Sequence, residues 1–461
     1  EVSLPSNPAP LAAVVLAAGQ STRMNSAVSK VLHEIAGRPL LGHVLTTVQQ
    51  LQAEKSVVVA GAGQADVAAL ATVYGAEVAV QDPPQGTGHA VLQARAALDG
   101  FGGDIIVVYG DTPLMRPETL QSMIDRRHET DDPAVVVFGF RPDDAALYGR
   151  LVLDDRDYLA RIVEARDASN DEKQISLCNG GVMVLDGAVA FDLLAAIGND
   201  NAKGEYYLTD IIAEAARTGR ISAVVEGDEQ EVMGVDHRTA LAAAEAAIQD
   251  RLRAAVLAGG ATLVDPGTVW FSADTQIGRD VHIEPNVFFG PGVVVQDNVS
   301  IKAFSHIEGA TIGEGAVIGP FARLRPGTEL AENTKVGNFV EIKKASIEAG
   351  AKVNHLSYIG DARVGEAANI GAGTITCNYD GFNKSHTDIG AGAFIGSNTA
   401  LVAPVSVGDG ATVGAGSTIN QDVPADDLAV TRAPQKNLTG VAAKLRKKYQ
   451  AEKEASQKKD K

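Results

Sequence analysis

Residues 271–342 read F-SADTQ-I-GRDVH-I-EPNVF-F-GPGVV-V-QDNVS-I-KAFSH-I-EGAT-I-GEGAV-I-GPFAR-L-RPGTE-L-AENTK-V-GNFVE-I, a large apolar residue at every sixth position with one slip. The series runs Phe271, Ile277, Ile283, Phe289, Val295, Ile301 and Ile307, then Ile312, Ile318, Leu324, Leu330, Val336 and Ile342. Further slips give Ile347, Val353 and Ile359, then Val364 and Ile370; after an interruption come Ile389, Ile395, Leu401, Val407, Val413 and Ile419. A period of six fits neither an amphipathic helix nor a coiled coil. It matches a parallel β-helix, in which each short strand points one apolar residue at the axis and a small residue lets the chain turn the corner. At three hexads per turn, Phe271–Ile419 predicts about eight stacked coils. The 19-residue gap between Ile370 and Ile389 carries T-C-N-Y-D-G-F-N-K-S-H without the pattern, which predicts a projecting loop.

Working outward, residues 236–260 are alanine-rich, lack proline and end in Gly259-Gly260, the signs of a long connecting helix with a glycine C-cap. Upstream, residues 12–19, 56–63, 77–81, 104–111 and 134–140 are short continuous apolar runs, as in strands of a parallel sheet buried on both faces. Helical spacing between most of them, such as Leu40, Val44, Leu45 and Val48, predicts an α/β unit with a Rossmann-like alternation. The expected order is an α/β domain over 7–235, a linker helix over 236–260, a β-helix over 261–432 and a basic tail over 433–461.

The 461 residues carry 40 Lys+Arg against 58 Asp+Glu, a net charge of −18, which supplies no general positive field for a nucleic-acid partner. Only Cys178 and Cys377 are present, too few for a disulfide framework. No apolar run reaches the ~20 residues of a membrane span, and Glu1–Pro10 has neither basic nor apolar leader character. A cytoplasmic enzyme without a membrane or nucleic-acid partner is expected. Against the acidic whole, Val441–Lys461 holds eight basic and three acidic residues, either a solvated terminus or a segment that docks on a neighbouring acidic chain.

The first strand ends in L-A-A-G-Q-S-T-R-M (16–24), with Lys30 following. A Gly-containing turn after a parallel strand forms a phosphate cradle that Arg23 and Lys30 would neutralise; otherwise they are two solvated cations on a surface turn. Gln81, Gly86-Thr87 and Asp111 fall at the carboxyl ends of later strands, where open sheets bind ligands. Asp111 either faces that ligand or caps its own turn, and Asp236 either joins it or caps the linker helix. In the repeat half, Arg325, Lys343 and Lys384 are placed to grip a phosphate, and Tyr358, Asn369 and Asn378 to orient a sugar. His355, with an imidazole that titrates near neutrality, suits removal of a proton from an amine, unless it is only a hydrogen-bonded corner residue.

These segments, with S-K-V-L-H-E-I-A-G-R-P, Q-G-T-G-H-A, V-Y-G-D-T-P-L, Y-G-R, I-V-E, N-G-G and E-Y-Y-L-T-D, resemble sugar-1-phosphate nucleotidylyltransferases. With the repeat half attached, residues 11–435 resemble the bacterial bifunctional N-acetylglucosamine-1-phosphate uridylyltransferase and glucosamine-1-phosphate acetyltransferase family. The resemblance implies that Leu16, Ala18, Gly19, Gln81, Gly86 and Thr87 hold the nucleotide, Arg23 and Lys30 its phosphates, and Gly149, Glu164 and Asn179 the sugar. It implies Mg²⁺ on Asp111 and Asp236. It also implies acetyl-CoA as co-substrate on Ala372, Asn378, Tyr379, Ser397, Ala415 and Arg432, His355 as the base, a homotrimer and a left-handed coil. The product would be UDP-N-acetylglucosamine for peptidoglycan and lipopolysaccharide, with acetylation preceding uridylylation. Ser21, Ser29 and Asp236 depart from the family's usual Gly, Pro and Asn. Two other readings compete: a nucleotidylyltransferase whose coil serves only assembly, and a non-enzymatic scaffold with a nucleotide sensor. Acetyl transfer by residues 237–461 alone would separate them.

Overall fold

The computed structural model describes residues 9–19, 22–145, 148–201 and 203–459. They form two compact units: residues up to Ala258 with Trp270–Thr275, and Gly259–Val269 with the residues from Gln276 onward.

In the first unit the apolar runs become the strands Leu11–Leu16, Lys55–Gly61, Glu77–Gln81, Asp104–Tyr109 and Val135–Phe140. Leu11, Ala13 and Val15 pack on one layer of the core, Ala12, Val14 and Leu16 on the other, so alternation vanishes because both faces are buried. The spatial order is Ser222–Glu226, Val135–Phe140, Cys178–Asp186, Asp104–Tyr109, Leu11–Leu16, Lys55–Gly61, Glu77–Gln81. The five expected strands run parallel to one another, and between two of them lies one that the apolar runs did not reveal, the antiparallel Cys178–Asp186. Its register shifts between Asn179 and Met183, and the Asn-Gly-Gly that makes the shift masks a strand pattern in the sequence.

The long helix is Arg238–Ala258, and it belongs to the first unit. Ala244 and Ala247 join a core of Ile35, Leu40, Leu114 and Val235. Its cap is the His237 imidazole, whose Nδ1 accepts the Ala240 N–H at 3.0 Å; Asp236 does not cap it. Phe271, read as the first hexad position, lies in no ladder. The fully buried Gln249 amide donates to its carbonyl at 2.7 Å and accepts its N–H at 2.9 Å, binding Trp270–Thr275 to the first unit.

The second unit is a stack of parallel strands in three ladders. One runs through Leu263, Ile283, Ile301, Ile318, Val336, Val353, Ile370, Ile395, Val413 and Ala429. A second carries Ile277 to Val407, and the third Phe289 to Ile419. The stack therefore begins before Phe271 and ends after Ile419. Within the sequence gap the third ladder continues through Ile375–Cys377, with Tyr358 paired to Ile375 and Thr376 to Leu401. The inward position is Thr376, a fully buried hydroxyl that accepts the Gly360 N–H at 2.8 Å and donates to the Gly360 carbonyl at 3.1 Å. One buried polar residue thus breaks the period without breaking the coil, and the projecting loop is shorter than the gap, with Tyr379 bridged to Lys384.

At one edge of the prism, each coil turns through a residue with positive φ: Asn286, Phe304, Phe321, Phe339, Leu356, Gly373, Asn398 and Gly416. Such a conformation costs a non-glycine residue about 1–2 kcal/mol. The basic tail is a helix, Val441–Lys459. Among the described residues, no helix is long and apolar enough to cross a membrane.

Thr376→Val restores the apolar period yet strands the Gly360 N–H. Urea unfolding followed by circular dichroism should show the second unit weakened by about 1–3 kcal/mol; unchanged stability would remove the hydroxyl from its structural role.

Candidate active sites

In the first unit, Leu16, Ala18, Gly19, Lys30, Gln81, Gly86, Thr87, Asp111, Glu164 and Asn179 line one cleft of about 750 Å³. The carboxyl ends of central strands deliver Leu16, Gln81 and Asp111 there, as open sheets dictate, while Asn179 enters from the start of the antiparallel strand. Gly86 has φ +108°, and a Cβ would stand 2.5 Å from the Tyr206 carbonyl oxygen, so only glycine fits. The buried Gln81 amide donates to the Gly86 carbonyl at 2.9 Å, and the Thr87 hydroxyl accepts the Leu208 N–H at 3.0 Å. The Thr87 contact, with backbone bonds between Tyr206 and both Gln85 and Gly88, straps Q-G-T-G to E-Y-Y-L. Gly149 does not line the cleft; it stands behind Asn179, whose N–H its carbonyl accepts at 2.9 Å.

The Lys30 ammonium meets the Asp111 carboxylate, with both side chains largely covered, so this acid does not serve merely as a turn cap. Arg23, outside the cleft lining, pairs with Asp236 at 2.6 Å. The two acids are joined through the backbone: the Asp111 carbonyl accepts the Val235 N–H at 2.9 Å, which places Asp236 one residue from that contact. Asp111 in the cleft and Asp236 beside it are thus each balanced by a cation. Their all-oxygen donor set suits a hard divalent ion that keeps water and phosphate oxygens as its other ligands; among the described residues no cluster of three metal-ligating side chains is present.

Sequence reasoning assigned no role to Tyr109, Arg166, Asp167, Lys203, Glu205, Tyr207 and Thr209, which also line the cleft. Tyr109, Glu205, Tyr207 and Thr209 stood inside quoted motifs, the only signal available. Burial, then the nearby Asp111 and Glu164, pushes the Tyr109 phenol well above its ordinary range, so it stays neutral. Burial also raises the Glu164 carboxyl, while Lys203 opposes the shift. Of the departures, Ser21 lies outside the described residues. Ser29 has φ −56° and ψ 141°, a conformation proline also adopts.

In the second unit His355 lies exposed at the prism edge, its Nδ1 2.9 Å from Asn338 Oδ1. An amide oxygen accepts, so Nδ1 carries the proton and Nε2 keeps a free lone pair. Asn338, one coil below in register with His355, was not foreseen. The same column continues upward. The His355 carbonyl accepts the Gly373 N–H at 3.1 Å, Ala372 that of Asn398 at 2.7 Å, and Ser397 that of Gly416 at 2.8 Å. Arg432 then donates to the Ala415 carbonyl at 2.6 Å. His355, Ala372, Ser397, Ala415 and Arg432 thus form one line parallel to the coil axis.

Across the adjoining face, Tyr358 pairs with Glu341 and Gly360 with Lys343. Arg325 pairs with Glu341 at 2.8 Å. The Lys343 ammonium is held below the ordinary lysine range by Lys384 beside it, then by desolvation and by Arg325. Asn378 donates to Asp361, and Tyr379 projects on the loop, 60% exposed. The cations thus share one corner of this face, with His355 at the other and Tyr358 between. Asn369 is not brought to them: it belongs to the ladder beyond the His355 edge, between Lys352 and Phe394.

Residues 13–175 match the MobA-like NTP transferase domain family, and residues 274–309, 309–344 and 386–421 match the bacterial transferase hexapeptide family. The chain is 57% identical to the bifunctional protein GlmU of Paramagnetospirillum magneticum over 96% of this chain and 98% of that one. It is 60% identical to that of Rhodospirillum rubrum over 94% and 97%, and 58% identical to that of Azorhizobium caulinodans over 95% and 97%. A nucleotide-type cleft and a polar column on hexapeptide coils, in one chain aligned with these relatives from end to end, make it a member of the GlmU family of bifunctional uridylyltransferase–acetyltransferases.

Proposed function

We propose that the first-unit cleft transfers the uridylyl group of UTP to N-acetylglucosamine-1-phosphate through the residues described. The observation that carries this reading is the pair Asp111 and Asp236, linked by the Val235–Asp111 hydrogen bond and each neutralised by a cation. A sugar-phosphate oxygen attacks the α-phosphorus of UTP in line, and the bond to the departing pyrophosphate breaks. Lys30 and Arg23 exchange their carboxylates for phosphate oxygens and neutralise charge that grows toward the transition state. Leu16, Ala18, Gly19, Gln81, Gly86 and Thr87 position the nucleotide; Glu164 and Asn179, with Gly149 behind, hold the sugar. Mg²⁺ on Asp111 and Asp236 supplies Lewis-acid stabilisation of the phosphoryl oxygens when bound.

The column on the second unit carries acetyl transfer to glucosamine-1-phosphate, the earlier reaction. His355 Nε2 takes a proton from the amine, the amine nitrogen attacks the thioester carbonyl carbon, and the CoA thiolate leaves. Acetyl-CoA extends along Ala372, Ser397 and Ala415 to Arg432, with Asn378 and Tyr379 at its side. Arg325, Lys343 and Lys384 grip the phosphate, and Tyr358 and Asn369 orient the sugar. Because Asn369 and the cations face different ways on one copy, the complete site draws on a second, which supports a homotrimer. A cytoplasmic location fits substrates that are all soluble phosphates and thioesters.

Asp111→Ala should abolish metal-dependent pyrophosphate release, at least 10²-fold; full activity at limiting Mg²⁺ would exclude its role. His355→Ala should cut acetyl transfer by about 10²–10⁴-fold and leave uridylyl transfer within a few-fold, whereas joint loss in a folded protein would refute independent sites. A lowered Lys343 pKa means its charge disappears earlier as pH rises. The KM for glucosamine-1-phosphate should therefore climb at a pH below the ordinary lysine range, and Lys384→Ala should move that rise upward. An unshifted profile would contradict the coupling.

A further inference from the structure

His89 stands in Q-G-T-G-H-A, on the helix Thr87–Leu92, and does not line the cleft. No step of the proposed reaction uses it, yet its ring is wedged between two glutamine amides. Its Nδ1 lies 3.2 Å from Gln81 Nε2, and its Nε2 lies 3.1 Å from Gln93 Nε2. Each amide is oriented by a backbone carbonyl: Gln81 Nε2 donates to that of Gly86 at 2.9 Å, and Gln93 Nε2 to that of His89 itself at 3.0 Å. A neutral imidazole has one lone pair and cannot accept from both amides. Gln81 is 5% exposed and depends on protein partners, whereas Gln93 is half-buried and can turn to water; the lone pair therefore belongs to Nδ1. Both N–H bonds of the Gln81 amide are then used inside the protein. Turning that amide over would oppose its oxygen to the Gly86 carbonyl and to the Nδ1 lone pair. The Tyr206 ring, 6.4 Å away between centroids, flanks the imidazole on the E-Y-Y-L side.

We propose that His89 is a positioning residue for base recognition: it locks the Gln81 amide so that Oε1, and not Nε2, faces the bound nucleotide. Oε1 has no partner among the described residues and is not sealed from solvent, and its side chain lines the cleft. An acceptor fixed at that point calls for an N–H on the base. Uracil and thymine carry one, the imide N3–H between two carbonyls. Cytosine has a lone pair at the same ring position and would meet the fixed oxygen with repulsion. The ligand class is thus an imide pyrimidine nucleotide, and its selection originates in a side chain that lies outside the cleft lining. The inference rests on the uridylyl-transfer reading and says what enforces the base preference.

Steady-state transfer from UTP and from CTP by the full-length protein tests this. The parent should favour UTP in kcat/KM by at least about 10²-fold, since a site built to hydrogen-bond one group rejects an analogue without it. His89→Leu removes the acceptor and frees the amide to turn. The KM for UTP should then rise about tenfold with kcat within about threefold, and the UTP/CTP ratio should fall at least about tenfold. His89→Asn, whose Oδ1 stands where Nδ1 stood, should keep the ratio within about threefold of the parent. A merely structural role would slow both nucleotides alike. An unchanged ratio in folded His89→Leu protein, or equal loss in the leucine and asparagine variants, would therefore overturn the lock and leave the uridylyl reading standing. His89→Met, which fills similar space without a nitrogen acceptor, makes the same test should the leucine variant not fold. A parent that transfers neither nucleotide would sink the uridylyl reading itself, and this inference with it, before any variant is made.

Discussion

Parallel stacking of coils is the constraint on which the second half of this molecule depends. Backbone N–H and C=O groups of the strands pair with the coils before and after them, so a side chain at a given corner lies over its counterpart about 18 residues earlier, one inter-strand spacing away. A sequence repeat becomes a set of columns. Asn338 under His355 is one consequence: the register that aligns their strands also brings amide oxygen to imidazole and fixes the tautomer. The run from His355 to Arg432 is another, since residues far apart in the chain fall on one line without any further device. Chemistry on such a scaffold is necessarily linear, which suits an extended thioester carrier.

The first site obeys a different constraint. Each of its two carboxylates is matched by a cation, Asp111 by Lys30 and Asp236 by Arg23. Under the proposed function the same four groups re-pair when a metal and a triphosphate bind, each acid with the metal and each cation with phosphate, and the charges that balance the site would then be those that stabilise the reaction.

Much of this was legible in the sequence because apolar periodicity reports burial directly. The sheet strands, the long helix and the coil appeared at the expected places. What stayed hidden was hidden by polar residues with local partners. Thr376 broke the period because its hydroxyl is satisfied by Gly360, and Cys178–Asp186 was obscured by the glycines of its bulge. Phe271 kept the period but not the ladder, because a glutamine from the helix claims its backbone. At the candidate sites, residue types singled out His355 and Asp111, but no spacing rule pointed to Asn338, and none separated Asn369 from the cations. Those depend on which face of the prism a residue occupies, knowledge that requires the register.

The chain leaves the first unit after Ala258, lays down Thr262–Leu263 at the base of the stack, and comes back at Trp270–Thr275 before entering the coil for good. The polypeptide thus passes between the units three times. No single scission yields two intact halves: severing before residue 237 strips Ala244 and Ala247 from their apolar neighbours, and severing after Ala258 deprives Gln249 of Phe271. The two activities are consequently inherited together, like two books sewn through one spine.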